Sequence, residues 1–294
     1  MKAVILGYGN RIDIAALSSD TTWETTLPLA NIQSSILAKK ARTTVADSFT
    51  LTVDLSAKAA RSMAMVAIAG HNLSRTATVE LNFYQGATLV FGSGAVSPWP
   101  YLVADDAHWS AHTFGYAVVD NERIAGMMPT FVYPLAAGIQ ANKVTVTVDD
   151  HSNSAGYVEL GRVFVGDAFA PLQNVEYGDV SMGVVDFSEI QTTKQRAKYF
   201  YKYPVIRTAT IVWKHLKEAE VLGGVYTMQR TIGLTGELVF ADGLPDYHTI
   251  GGVAVPDSNW FAKAFLGNPT DLTALTYPNF SEYSGGFGVE EVAL

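Results

Sequence analysis

Phe49-Thr50-Leu51-Thr52-Val53-Asp54-Leu55 alternates apolar and polar side chains residue by residue. Successive side chains of a strand point to opposite faces, so this pattern makes a half-buried β-strand. The alternation returns in Ala77-Thr78-Val79-Glu80-Leu81-Asn82-Phe83 and in Lys143-Val144-Thr145-Val146-Thr147-Val148. Met63 to Ala69 is a continuous apolar run, as in a strand covered on both faces. Tyr157 to Val165 reads as another strand, with a bulge signal at Gly161. Gly86, Gly92-Ser93-Gly94, Ser97-Pro98-Trp99-Pro100, Pro129 and Pro134 punctuate these runs. Helical signals are few: a short turn in Leu29 to Lys40, an ambiguous Ser188 to Arg196, and Trp213 to Leu222 as helix or strand edge. Asp257 to Leu266 reads as a short helix with Asp257 as its N-cap. The expectation is an all-β sandwich.

The chain has 294 residues, room for roughly two domains of about 150 residues. Its net charge is −8 and only 16% of residues are charged, against roughly 25% in an average soluble protein. A hydrophobic fraction of 48% excludes a disordered chain. The acidic balance argues against a nucleic-acid partner. No apolar run approaches the roughly 20 residues of a spanning helix, so membrane insertion is not expected. The opening apolar stretch stops at Gly7, too early for a signal peptide. With no Cys, disulfides and thiolate chemistry are excluded. The low charge implies either a surface rich in Thr, Ser, Asn and Gly or surface buried against partners.

The strand pattern breaks near residues 170–190, which divides the chain into an expected 1–178 domain and a second, smaller β-rich domain at 179–294 with one or two short helices. The charge pattern changes there too. Lys194, Arg196, Lys198, Lys202, Arg207, Lys214 and Lys217 follow one another with no Asp or Glu among them. Tyr199, Phe200, Tyr201, Tyr203 and Trp213 interleave with them. Such a stretch can be an ordinary strand with aromatics inward and cations outward, an interface to an acidic neighbour, or a single-strand nucleic-acid surface.

The catalytic motifs are weak. Val4-Ile5-Leu6-Gly7-Tyr8-Gly9-Asn10 resembles a dinucleotide loop, but Ile12 stands where the third Gly belongs, so no cofactor is expected. His108 and His112 have helical spacing, but Trp109 replaces the Glu of a zinc protease. No Gly-x-Ser-x-Gly elbow is present. The acid pairs Asp105-Asp106, Asp149-Asp150 and Glu290-Glu291 point to opposite faces of a strand and do not converge. The chain is not expected to be an enzyme.

Several elements in order resemble a known family. They are Trp23-Glu24-Thr25-Thr26-Leu27-Pro28-Leu29-Ala30-Asn31-Ile32, Ala41-Arg42, the strand Thr52-Val53-Asp54-Leu55, Val66 to Leu73, and Gly156 to Gly166 with its Gly161-Arg162-Val163-Phe164-Val165-Gly166. This order is similar to the discoidin-like, galactose-binding-like sandwich of tail proteins from long-tailed bacteriophages, over roughly residues 10–180. The resemblance implies a jelly-roll-like sandwich followed by the second β domain. It also implies a structural virion protein of a tail tip or baseplate, assembled in the host cytoplasm. Its partners would be copies of itself in a ring and other tail tube, hub or fibre proteins. Lys194, Arg196, Lys198, Lys202, Arg207 and Lys214 are then candidate interface residues. The alternative is a carbohydrate- or receptor-binding module for a host surface glycan, with Trp99, Tyr101 and Trp109 stacking on the sugar.

Overall fold

The structure, a computed structural model, describes residues 4–102, 117–118, 127–173, 175–176, 179–194, 196–279 and 282–293. It is all-β with few helices, as the alternating runs require. Phe49–Asp54 buries Phe49, Leu51 and Val53 and half-exposes the threonines between them. Arg61–Ala69 is buried on both faces from Met63 on, which is what its continuous apolar run needs.

Among the described residues there are two large sheets. One holds, in spatial order, Tyr247–Ile250, Val253–Pro256, Thr88–Val96, Thr78–Gln85, Lys143–Asp149, Phe49–Asp54 and Ala16–Ser19. The other runs Thr130–Ala141, Arg61–Ala69, Arg162–Phe169, Val4–Tyr8, Leu238–Asp242, Ala264–Leu272, Glu282–Glu291, Val205–Leu216 and Val180–Asp186, with Thr276–Asn279 added on Glu282–Glu291. Neighbours in this longer sheet are antiparallel.

The first part of the long sheet packs on the seven-stranded sheet. Leu51, Val79, Leu81, Phe83, Val144 and Val146 meet Met63, Ile68, Val163 and Val165 there. The far part carries a second core. Ile211, Trp213, Phe240, Phe265 and Phe287 pack with Val221, Val225 and Met228 from a helical segment. That segment runs Glu218–Glu220, a π turn Val221–Val225 and Tyr226–Ile232.

Val4–Tyr8 is the strand that joins the halves, pairing with Arg162–Phe169 on one side and Leu238–Asp242 on the other. Sheet hydrogen bonding therefore continues across the division expected at residues 178 and 179. Val253–Pro256 also crosses back, pairing in parallel with Thr88–Val96. Gly7 and Gly9, the glycines of the dinucleotide-like opening, serve this strand. A Cβ on Gly7 would meet Met65 and Phe164, and Gly9 turns the chain at φ +67°.

Two local expectations are corrected. The turn at Leu29 to Lys40 is a 3-10 helix confined to Leu29–Gln33. The helix expected from Asp257 is the short Trp260–Lys263, preceded by Asn259 rather than capped by the Asp257 side chain. Phe265 and Leu266 lie on the strand that follows.

Candidate functional site

The segment from Val180 to Val205 forms an arm. Val180–Asp186 is the last strand of the long sheet, paired on one side with Val205–Leu216. Beyond it, Glu189–Thr192 and Lys198–Tyr201 form a two-stranded hairpin of their own. Its register places Ile190 opposite Phe200, Gln191 opposite Tyr199 and Glu189 opposite Tyr201. Strand alternation then puts Ile190 and Phe200 on one face and Tyr199 and Tyr201 on the other. Ile190, Tyr199, Phe200, Tyr201 and Tyr203 are each 52–60% exposed. Met182, Val184, Val185 and Phe187 continue the exposed apolar surface to the arm's root. A lone two-stranded hairpin is marginally stable in water. An apolar sheet edge left bare is what proteins ordinarily avoid unless it meets a partner.

The structure divides the basic stretch. Lys194, Arg196, Lys198 and Lys202 are on the arm, exposed, and make no ion pair among the described residues. Arg196 stands in the hairpin turn at φ +66°. Arg207 is not a surface contact. It is 4% exposed, and its backbone N and its Nε both donate to Glu291 Oε2 at 2.9 Å. Phe261 and Phe265 lie beside its guanidinium. Lys214 is committed within the chain as well, to Asp179 at 2.7 Å and Glu176 at 3.2 Å. An Arg on an inward strand position must carry a buried acid with it, so Arg207 and Glu291 form one unit of the core.

The sugar-stacking expectation also changes. Trp99 is 6% exposed, its Nε1 donates to Leu73 O at 2.9 Å, and its ring is covered by the Arg75 guanidinium at 3.8 Å. It stacks on Phe261 and lies edge-to-face with His71, so it has no free face for a sugar. Tyr101 has its backbone described in the short strand Tyr101–Leu102; its side chain and Trp109 lie outside the described residues, as do His108 and His112. His71 is fully buried, and desolvation, with Arg75 and Lys40 nearby, lowers its pKa to about 3. Its Nδ1 accepts from the Leu73 N–H at 3.3 Å, so the ring is neutral and carries its proton on Nε2. Among the described residues no group of His, Asp and Glu could hold a metal ion. No described helix is long and apolar enough to cross a membrane.

A second feature had no motif to announce it. Where Val4–Tyr8 ends and Arg162–Phe169 and Leu238–Asp242 begin, an open cleft of about 230 Å³ is lined by Gly9, Asn10, Asp13, Ser35, Arg162, Thr235 and Glu237, among others. Arg162 is 2% exposed and bridges two acids. Its Nη1 meets Asp13 at 2.7 Å, and its Nη2 meets Glu237 at 2.7 Å and Asp13 at 2.9 Å. Nε donates to both Glu237 oxygens, and Nη1 also donates to Ile32 O at 3.1 Å. Asn10 closes the network, donating to Glu237 at 3.4 Å and to Val163 O at 3.0 Å, while accepting from the Val165 N–H at 3.0 Å. The partners are 149 and 75 residues apart in sequence. The only sequence signal is an Arg interrupting the apolar run Leu160 to Val165, because a lone cation in a buried strand needs acids from elsewhere.

No family model matches the chain, and no curated protein matches it. Solved structures similar to it include the family 32 carbohydrate-binding module of C. perfringens NanJ in complex with galactose. That match has 16% identity and a TM-score of 0.35, over 54% of this chain and 98% of that one. A fucose-binding module of Streptococcus pneumoniae matches at 10% identity and TM-score 0.35, over 53% of this chain and 96% of that one. A fucolectin from striped bass (Morone saxatilis) serum matches at 10% identity and TM-score 0.35, over 97% and 93%. The likeness is one of β-sandwich architecture and extends to nothing finer.

Proposed function

We propose that this chain is a non-enzymatic structural protein that assembles with copies of itself and with neighbouring proteins through the exposed arm. The tail tip or baseplate of a long-tailed phage is the setting that its sequence motifs suggest. The observation that carries the assembly reading is the arm, a hairpin with aromatic side chains exposed on both faces and four basic residues without a partner among the described residues. Burial of such aromatics releases roughly 25 cal/mol per Å² of apolar surface, and a stable interface needs about 800 Å² per partner. The arm offers apolar surface of that kind, left exposed among the described residues. No comparison bears on a tail role.

The test is the oligomeric state by analytical ultracentrifugation, for the wild type and for an Ile190→Ser, Tyr199→Ser, Phe200→Ser variant. Association in the first and a monomer in the second is the expected result. A wild type that stays monomeric at high concentration overturns the assembly reading. Mass spectrometry of purified virions tests the tail setting, and absence of the chain there removes it.

The second reading is carbohydrate binding, as in the galactose-bound and fucose-binding modules of similar β-sandwich architecture. In this chain the supporting observation is the cleft at Arg162. Its two carboxylates keep acceptor lone pairs that vicinal sugar hydroxyls can use. A flat response on a glycan array would sink this reading.

A further inference from the structure

We infer that the basic tip of one arm seats in the Arg162 cleft of a second copy of this chain. The inference rests on the assembly reading and names the surface the arm meets. The first support is charge. Arg162 spends its N–H groups on Asp13, Glu237 and Ile32 O, so the cleft has no guanidinium donor left for an anion. Two carboxylates against one cation leave a net charge of −1. Asp13 is 44% exposed toward the opening, and a cation is what such a site takes. The arm tip supplies Lys194, Arg196 and Lys198, which have no ion-pair partner of their own among the described residues. The volume of 230 Å³ exceeds the ~150 Å³ that admits a benzene molecule, so one long basic side chain fits.

The second support is topology. Val4–Tyr8 ends at the cleft, and Arg162–Phe169 and Leu238–Asp242 begin there. Following the register from Tyr8 through Leu238, Gly267 and Glu291 to Arg207 and Val184 puts Asp186 and Val205, the root of the arm, on the side of that row away from the cleft. Val180–Asp186 is also five strand steps from Val4–Tyr8, or ~24 Å at about 4.8 Å per step. Within one copy Asp13 and Glu237 pair with Arg162 and with no cation of the arm among the described residues, so the cleft is open to a tip from outside. A second copy can supply the tip, head to tail, and a heterologous contact of this kind closes into a ring or continues as a filament. A saccharide is the other occupant the cleft's acceptors admit. Among the described residues that line it, Ile232 is the one large apolar side chain, and none of them offers an aromatic plate for a sugar ring.

The test adds positive charge at the rim without touching the Arg162 network. A Ser35→Lys, Thr235→Lys variant should self-associate about tenfold more weakly or worse in ultracentrifugation. Adding Lys194→Glu and Lys198→Glu to it should restore association. If the arm variant Ile190→Ser, Tyr199→Ser, Phe200→Ser becomes monomeric but the rim variant associates as the wild type does, the cleft inference fails and the assembly reading stands. If the wild type itself is monomeric, both fail. If the rim variant keeps its association and instead loses binding to a glycan that the wild type retains on an array, the cleft is a sugar site and the inference is overturned.

Discussion

Arg207 and Glu291 are buried together, the arginine donating through both its backbone N and its Nε to Glu291 Oε2 at 2.9 Å. The pair ties Val205–Leu216 to the end of Glu282–Glu291 beneath the aromatic rings of Phe261 and Phe265. Removing one partner leaves a buried charge without compensation, which costs about 3–5 kcal/mol. Arg207→Met should therefore lower the urea midpoint steeply. Arg207→Met with Glu291→Leu should recover most of the loss, since an apolar pair of similar volume tolerates the site. Equal stability of the single and double variants would contradict this account.

His215 lies between two carboxylates, with Nδ1 3.0 Å from Glu282 and Nε2 2.8 Å from Glu176. Hydrogen bonds to Glu282 and Glu176 raise its pKa above the ordinary 6.5. Lys214 shares Glu176 and also faces Asp179. A raised folded-state pKa gives stabilisation that is complete below pH 6.5 and lost as pH rises through the folded value. NMR titration should find the His215 midpoint above 6.5 and closer to it in Glu176→Gln. The melting temperature should fall with pH above neutrality less in His215→Gln than in the wild type.

His71 has the opposite sign. Its pKa of about 3 means that the unfolded chain binds a proton below pH 6.5 that the folded chain refuses. Stability is lost as pH falls from 6.5 toward 3, at about 1.4 kcal/mol per unit from this group. His71→Leu should flatten the acid limb of the stability curve between pH 6 and 4, read by urea unfolding at each pH. An unchanged slope would show that His71 is not held neutral.

Trp99 belongs to the core. Trp99→Ala should cost about 3–5 kcal/mol, because the ring packs on Phe261 and His71 under Arg75. Differential scanning calorimetry checks this. A variant as stable as the wild type would return Trp99 to the list of available surface aromatics.

The arm aromatics should behave in the contrary way. Tyr199→Ser and Phe200→Ser, at exposed positions, should change monomer stability by less than about 0.5 kcal/mol while reducing self-association. A large loss of monomer stability would mean that these rings pack within their own chain.

The alternating runs by themselves determined the strands and the all-β class, because a half-buried strand writes its two faces into consecutive residues. Phe49–Asp54, Thr78–Gln85 and Lys143–Asp149 could be read one at a time. The same local reading marked 194–217 as unusual, since a run of cations among aromatics needs no partner residues to be visible. Only the tertiary structure decided what each member of that run does. Lys198 and Lys202 stand in solvent, whereas Arg207, on the next strand, points inward to an acid 84 residues away. The cleft at Arg162 was hidden for the same reason: its charges lie on the ends of strands that adjoin only after the sheet has formed. Periodicity is a property of neighbours in sequence, whereas charge pairing over such separations is a property of the sheet order, which no single strand contains.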